Sequence, residues 1–265
     1  MERSSWQWIQ LFLNEYGSSF LKGAAATLEI ALISTIIGCI IGFIVGTIRS
    51  IQLSPEEHWY KKGLMALINA ALGVYIEIFR GTPMMVQAMV VYYGSQALFG
   101  INLTATVASY LVVSVNTGAY MAETVRGGIQ SIDGGQLEAA QSLGMRHMDA
   151  MACVIVPQAL FNILPQIGNN LIINIKDTSV LNVISCTELF FVTKTVTGTY
   201  YRYFEPFLIA CALYLAMTFV LSRLLRLLEK KMQGSDHYKL ADKADFMDDN
   251  YGNGIFKTKA EGGVA

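Results

Sequence analysis

Five long stretches of this chain are almost free of charge, and they restrict it to folds that a lipid bilayer accepts. They cover residues 25–48, 82–98, 104–125, 163–184 and 206–222, each about as long as a helix needs to cross a hydrocarbon core ~30 Å thick. Of the 19 basic and 20 acidic side chains, only Glu29, Glu123, Lys176 and Asp177 fall inside them. Backbone polar groups in lipid must be satisfied within their own segment, so spans of this kind are helices. The expected fold class is all-α, a polytopic membrane protein with five transmembrane helices. With 53% hydrophobic and 15% charged residues and a net charge of −1, the chain is neither a disordered protein nor a basic nucleic-acid binder, and no nucleic-acid partner is expected. Lipid is its surrounding solvent.

The run 163–184 is the exception. Asn169, Asn170, Asn174, Lys176, Asp177, Thr178 and Ser179 make it too polar to face lipid, so it must face protein or water. Residues 50–80 mix Pro55, Glu56, Glu57, Lys61 and Lys62 with a more apolar stretch, 64–79. This segment is placed along the cytoplasmic face, with a sixth span as the competing reading.

Five spans put the termini on opposite sides. Starting outside, the cytoplasmic segments hold Arg49, Lys61, Lys62, Arg80, Arg126, Arg146, Arg223, Arg226, Lys230 and Lys231, and the outer ones Arg3, Lys22, Lys194 and Arg202. Ten against four predicts the N-terminus outside and the C-terminus in the cytoplasm. No basic stretch followed by an apolar run and a small-residue cleavage site opens the chain, so no removable signal peptide is expected. Cys39, Cys153, Cys186 and Cys211 form no CxxC pair, and His58, His147 and His237 are scattered; free thiols and no metal site are expected. Residues 1–22, rich in aromatics, read as an outer interfacial segment. Residues 23–228 read as the membrane domain and 229–265 as a mobile cytoplasmic tail. Gly38, Gly42 and Gly46 form two small-xxx-small steps, a face on which another helix backbone can pack closely.

The longest internal polar loop, 127–160, carries Gly134-Gly135-Gln136-Leu137-Glu138-Ala139-Ala140-Gln141-Ser142-Leu143-Gly144. Gln136 to Leu143 are mostly good helix formers, Leu137, Ala140 and Leu143 share one side, and Gly144 supplies a left-handed stop. The product is a short helix with a small apolar face. Lying on the bilayer it would bury little area, so a protein groove is its better receptor.

At these residues the chain resembles the membrane permeases of ATP-binding-cassette importers, specifically the polar amino acid branch. The resemblance rests on Glu138-Ala139-Ala140, Gly144 and Val154-Ile155-Val156-Pro157, which match the family's EAA signature with Val at both final aliphatic positions. Ile78-Phe79-Arg80-Gly81-Thr82-Pro83, Glu123-Thr124-Val125-Arg126-Gly127-Gly128-Ile129 and Lys176-Asp177-Thr178-Ser179 look like three further segments of that branch, in the right order. The resemblance implies a type I importer permease with a cytoplasmic coupling helix, in a bacterial inner membrane. It implies as partners two nucleotide-binding ATPase subunits, a second permease subunit that is a copy or a different chain, and an external amino-acid-binding protein. The chain lacks a GxxxxGK[ST] phosphate loop, so it is expected to be no enzyme and to hold no cofactor itself, with ATP and Mg on the partner ATPase. On this reading Glu138 fixes orientation at the helix start, Ala139 and Ala140 permit close approach to the ATPase, and Leu143 and Gly144 complete and end the helix.

Polar groups at membrane depth mark candidate pathway residues. Lys176 and Asp177, with Thr178 and Ser179, could meet the carboxylate and ammonium of a free amino acid; equally they could pair with neighbouring helices or cap a helix break. Asn116, Tyr120 and Glu123 share one helix face and either line a pathway or satisfy helix contacts. Arg80-Gly81-Thr82-Pro83 reads as structural, since Pro83 near a helix start and Gly81 before it set the entry angle of a span, and Glu77 and Arg80, three apart, are placed to pair at the cytoplasmic mouth. The rival reading is an ion-coupled secondary transporter or channel that needs no ATPase. The substrate is left at a polar amino acid.

Overall fold

The computed structural model describes residues 3–51 and 58–232, and among these all regular structure is helical. α1 (Ser5–Ser50) begins at a capping box in which the Ser4 hydroxyl accepts from the Gln7 amide and the Gln7 side chain accepts from the Ser4 amide. At 1.5 Å per residue its 46 residues span about 69 Å, more than twice a hydrocarbon core. The expected separate interfacial segment is therefore the first part of one long helix. Its Phe12 and Phe20 are fully buried, in a cluster with Leu189, Val196 and Ile209.

α2 (Trp59–Gly81) forms one helix where the sequence reading set a segment along the cytoplasmic face against a sixth span. Ser5–Ser50, Trp59–Gly81, His147–Ile184 and Phe204–Lys231 are the helical stretches long and apolar enough to cross a membrane. Ile76 of α2 is buried in a cluster with Val45 of α1 and Ala122 of the fourth helix. α3 (Met84–Phe99) follows after Thr82 and Pro83 and ends on Gly100 at φ 67°. Its 16 residues reach about 24 Å, short of a crossing on their own.

α4 (Ala105–Gln130) falls outside that apolar set for a different reason: it is enclosed by protein. It packs against α1, α2, α3 and the later helices, and buries Ser109, Ser114 and Thr117 along with Val112, Val113, Met121 and Val125. A helix shielded from lipid can carry small polar residues that lower its hydropathy. Gly38, Gly42 and Gly46 of α1 lie on Thr117, Met121 and Val125 of α4 in that order, so the two helices run parallel, and the small-xxx-small face has its partner. A Cβ on Gly42 would sit 2.3 Å from that of Met121.

After α4 come α5 (Gly134–Ser142), α6 (His147–Ala150), a π-helical turn at Met151–Ile155 and α7 (Val156–Asp177). Gly128 of α4 meets Ile163, Met121 meets Asn170 and Thr117 meets Asn174, so α7 runs antiparallel to α4. The polar face of α7 turns to protein as expected: the Asn174 amide donates to the hydroxyls of Thr35 at 2.7 Å and Thr117 at 3.0 Å. The backbone then tightens into a 3-10 segment, Thr178–Ile184, that ends on Ser185 at φ 60°.

α8 (Leu189–Tyr200) has no counterpart in the sequence reading. Its N-cap, Glu188, is fully buried and accepts from the amides of Phe190 at 2.8 Å and Phe191 at 2.7 Å, from the Tyr214 hydroxyl at 3.0 Å and from Thr27 at 3.4 Å. One carboxylate thus joins α1, α8 and α9 (Phe204–Met232). By contacts the chain divides at Arg226 into two units; of the second, residues 227–232 are described, as the last turns of α9. The expected tail beyond residue 232 lies outside the described residues.

Candidate functional site

Proline at position 83 removes a backbone donor at the point where α2 ends, leaving carbonyls that need other partners. Gln87, on the first turn of α3, supplies them. Its amide nitrogen donates to the carbonyls of Phe79 at 3.0 Å and Thr82 at 2.9 Å and to the Thr82 hydroxyl at 2.9 Å. The Asn116 amide donates to the same Phe79 carbonyl at 3.0 Å and to the Gln87 oxygen at 3.1 Å. The break between α2 and α3 is therefore pinned to Asn116, near the midpoint of α4. The span expected at residues 82–98 begins beside the middle of the bundle, with α2 leading into it.

This break opens a polar cavity of about 550 Å³. Arg80, Gly81, Thr82, Pro83 and Met84 form one wall; Asn116, Thr117 and Tyr120 of α4 form a second; Asn170, Asn174 and Asp177 of α7 form a third. The Arg80 guanidinium lies over the Tyr120 ring, 5.4 Å from its centroid, a cation–π contact. A cavity of this size suits a small molecule. It offers one cation, one anion, amides and hydroxyls.

Glu123 does not line the cavity. It sits one turn beyond Tyr120, held by Arg49 of α1 at 2.6 Å and Arg126 at 2.8 Å, with Arg80 at 3.9 Å. Three guanidiniums from three helices surround one half-exposed carboxylate, an excess of positive charge. The expected pairing of Glu77 with Arg80 is not formed: Glu77 is exposed and has no ion pair among the described residues, because Arg80 leans toward α4.

The four residues Lys176, Asp177, Thr178 and Ser179 do not act together. Asp177 lines the cavity, whereas Lys176, one position back and about 100° around α7, lines a separate groove against α9. Thr178 is buried and its hydroxyl donates to the Ile175 carbonyl at 2.9 Å, and the Ser179 carbonyl accepts from Asn182 at 2.6 Å. Lys176 and Asp177 thus face different spaces, and the two charged residues that line the cavity, Asp177 and Arg80, come from different helices. Asn170 and Asn174, which line the cavity, and Gln87, which pins the helix break, lie outside the candidate set drawn from the sequence. The signal for Gln87 was present as an uncharged amide within an otherwise apolar run.

The loop 127–160 is almost wholly helical. α5 starts two residues earlier than expected because the Asp133 carboxylate caps it, accepting from the Gly135 amide at 2.8 Å. Glu138 is consequently the fifth of nine residues rather than the start, and the charge at the helix N-terminus is that of Asp133. At the other end Gly144 has φ 88°, with the Met145 amide bonded to the Ala140 carbonyl and the Gly144 amide to that of Gln141. This is a Schellman stop, which favours glycine in the left-handed position. Ala140 is 5% exposed and faces its own chain, not a partner. Leu137 packs beside Val125, Ile129, Ile155 and Ile163. The outward face carries Glu138, Ala139, Gln141 and Leu143, the last 85% exposed.

A family model described as the binding-protein-dependent transport system inner membrane component matches residues 63–234. The arginine transport system permease protein ArtQ of Bacillus subtilis is 32% identical over 216 residues, 82% of this chain and 93% of that one. The glutamine transport system permease protein GlnP of Escherichia coli is 34% identical over 214 residues, covering 80% and 92%. Among solved structures, an amino acid ABC transporter crystallised with histidines is 35% identical, with a TM-score of 0.74 over 87% of this chain and all of that one. The inward-facing MetNI methionine ABC transporter, at 19% identity and a TM-score of 0.59, shares the fold.

Proposed function

This chain belongs to the family of binding-protein-dependent transport system inner membrane components and is a permease component of an amino acid ABC transport system; from that premise we propose that its cavity passes a polar L-amino acid and that α5 couples it to a separate ATPase. The observation that carries the reading is the cavity at the α2–α3 break, lined by the opposite charges of Arg80 and Asp177 from two different helices. A zwitterion presents a carboxylate to the first and an ammonium to the second, and the amides of Asn116 and Asn170 can follow the polar remainder.

In this scheme an external binding protein delivers the substrate. Two ATPase subunits bind ATP and Mg and close on hydrolysis cycles, and a second permease completes the pathway. The outward face of α5, Glu138, Ala139, Gln141 and Leu143, is the docking surface. Ala140 and Gly144 act through it by seating and ending the helix. The chain is a multi-pass protein of the inner membrane, with the N-terminus proposed outside and the C-terminus in the cytoplasm. The relatives named for arginine and for glutamine differ in the charge of the side chain, which supports a polar amino acid as the substrate without choosing one.

The test is co-purification of the tagged chain from native membranes, followed by ATPase and uptake assays in proteoliposomes. An ATPase subunit should be recovered with the native chain and lost with Leu143→Glu, while Asp177→Asn should keep the ATPase and lose uptake. A chain that purifies alone and moves an amino acid without ATP would overturn the reading in favour of an ion-coupled transporter.

A further inference from the structure

Lys176, displaced from the cavity, belongs to a second cluster. It lines a groove of about 290 Å³ between α7 and α9 together with Arg223, Arg226, Ser222, Phe219 and Leu215. Gly168 of α7 packs on Leu225 of α9, and Leu171 and Ile175 share a cluster with Leu221, Met217 and Tyr214, so the two helices run antiparallel. Side chains tilt toward the start of their own helix. Lys176 therefore leans toward the level of Arg223, and Arg223 leans toward Lys176. Among the described residues none of the three cations has a hydrogen bond or an ion pair. Arg223 rests only on the Phe219 ring, 5.0 Å from its centroid. Among the described residues no carboxylate lines the groove; the neighbouring Asp177 opens into the cavity on another face.

We propose that this groove binds the phosphate of an anionic phospholipid, with Lys176, Arg223 and Arg226 around the headgroup and the acyl chains along Phe219, Leu215 and Ile172. The chemistry has both halves of such a ligand. Three cations lie beside an apolar wall; Arg223 and Arg226 follow the apolar run 206–222, at the end of a span where basic residues meet headgroups, and Lys176 leans toward them. A second copy of this chain is a poorer occupant, because a two-fold contact centred here would set three cations against three cations. The inference is independent of what the central cavity carries.

The full chain, purified in mild detergent, is equilibrated with equal amounts of phosphatidylglycerol and phosphatidylcholine, and the retained lipid is counted by native mass spectrometry. The native chain should retain phosphatidylglycerol in preference. The Arg223→Gln, Arg226→Gln variant should lower the ratio by roughly 25-fold, about fivefold for each basic residue removed. Arg223→Lys, Arg226→Lys should keep the preference if the glutamine variant fails to fold, and Lys194→Gln, a charge removed elsewhere, should leave the ratio unchanged. Equal retention of the two lipids by the native chain, a ratio unmoved by the glutamine variant, or displacement by millimolar inorganic phosphate would overturn the proposal. So would efficient cross-linking of a cysteine at Ser222 to a second permease chain, which would assign the groove to a protein partner.

Discussion

Substituting Gly42 by alanine tests whether the parallel α1–α4 contact holds the bundle together. The added methyl would lie 2.3 Å from Met121 Cβ, 2.8 Å from the Met121 carbonyl carbon and 2.9 Å from the Ala122 nitrogen. Carbon atoms rest at about 3.5–4.0 Å, so the deficit exceeds 1 Å, and two of the three obstacles are backbone that no rotamer change can move. The helices must separate along the stretch where Gly38 and Gly46 face equally close neighbours at 2.6 Å. Overpacking of this kind costs about 1–3 kcal/mol, or roughly 2–12 °C at ~2–4 °C per kcal/mol for a chain of this size. Gly17 of α1 and Gly63 of α2 are the internal controls, since a Cβ at either meets nothing within 4 Å. Alanine there should be neutral or stabilising by up to ~1 kcal/mol through helix propensity. The assay is the midpoint of thermal loss of the monodisperse peak in size-exclusion chromatography of detergent-solubilised protein. Gly42→Ala should fall well below native and Gly17→Ala should not; a Gly42→Ala midpoint equal to that of Gly17→Ala would refute the close-packed geometry.

Two further outcomes follow from groups outside the cavity. Glu188→Ala removes the acceptor of two α8 amides and of the Tyr214 and Thr27 hydroxyls, and should lower the same thermal midpoint by the equivalent of about 2–3 kcal/mol. Glu188→Gln, which keeps one acceptor oxygen, should lose less, and an alanine variant as stable as native would remove Glu188 from its hub role. Tyr200 donates to the Glu15 carboxylate, and that hydrogen bond pushes the phenol pKa above its ordinary value of 10.0. A raised folded-state pKa contributes stability that is full below the unfolded value and lost as pH rises through the folded one. Stability should therefore fall more steeply above pH 10 in the native chain than in Tyr200→Phe, and identical alkaline profiles would show that the bond contributes nothing.

Much of the loop 127–160 was legible because its determinants are local. Helix formers from Gln136 to Leu143, a glycine one residue past the end and the spacing of Leu137 and Ala140 are interactions within four or five positions, and the structure places Gly144 at φ 88° accordingly. The same locality misled at the helix start, where Asp133 extends α5 by two residues, and on residues 50–80, where charges near the beginning hid a helix that packs on α1 and α4. Hydropathy likewise separates lipid-facing from water-facing helices and says little about α4, most of which is packed against other helices.

The membrane, the helical class, the loop helix with its stop, and the set of polar residues that need partners at depth can all be read from local pattern along the chain. Who those partners are depends on how the helices pack. Arg49 meets Glu123 across 74 positions and Thr27 meets Glu188 across 161, distances over which no periodicity carries information. Packing also turned Asp177 into the cavity and Lys176 away from it, and Ala140 inward while Leu143 stayed out. Residues adjacent on a helix differ by about 100° in direction, so a motif supplies the chemistry and packing chooses which side of it is used.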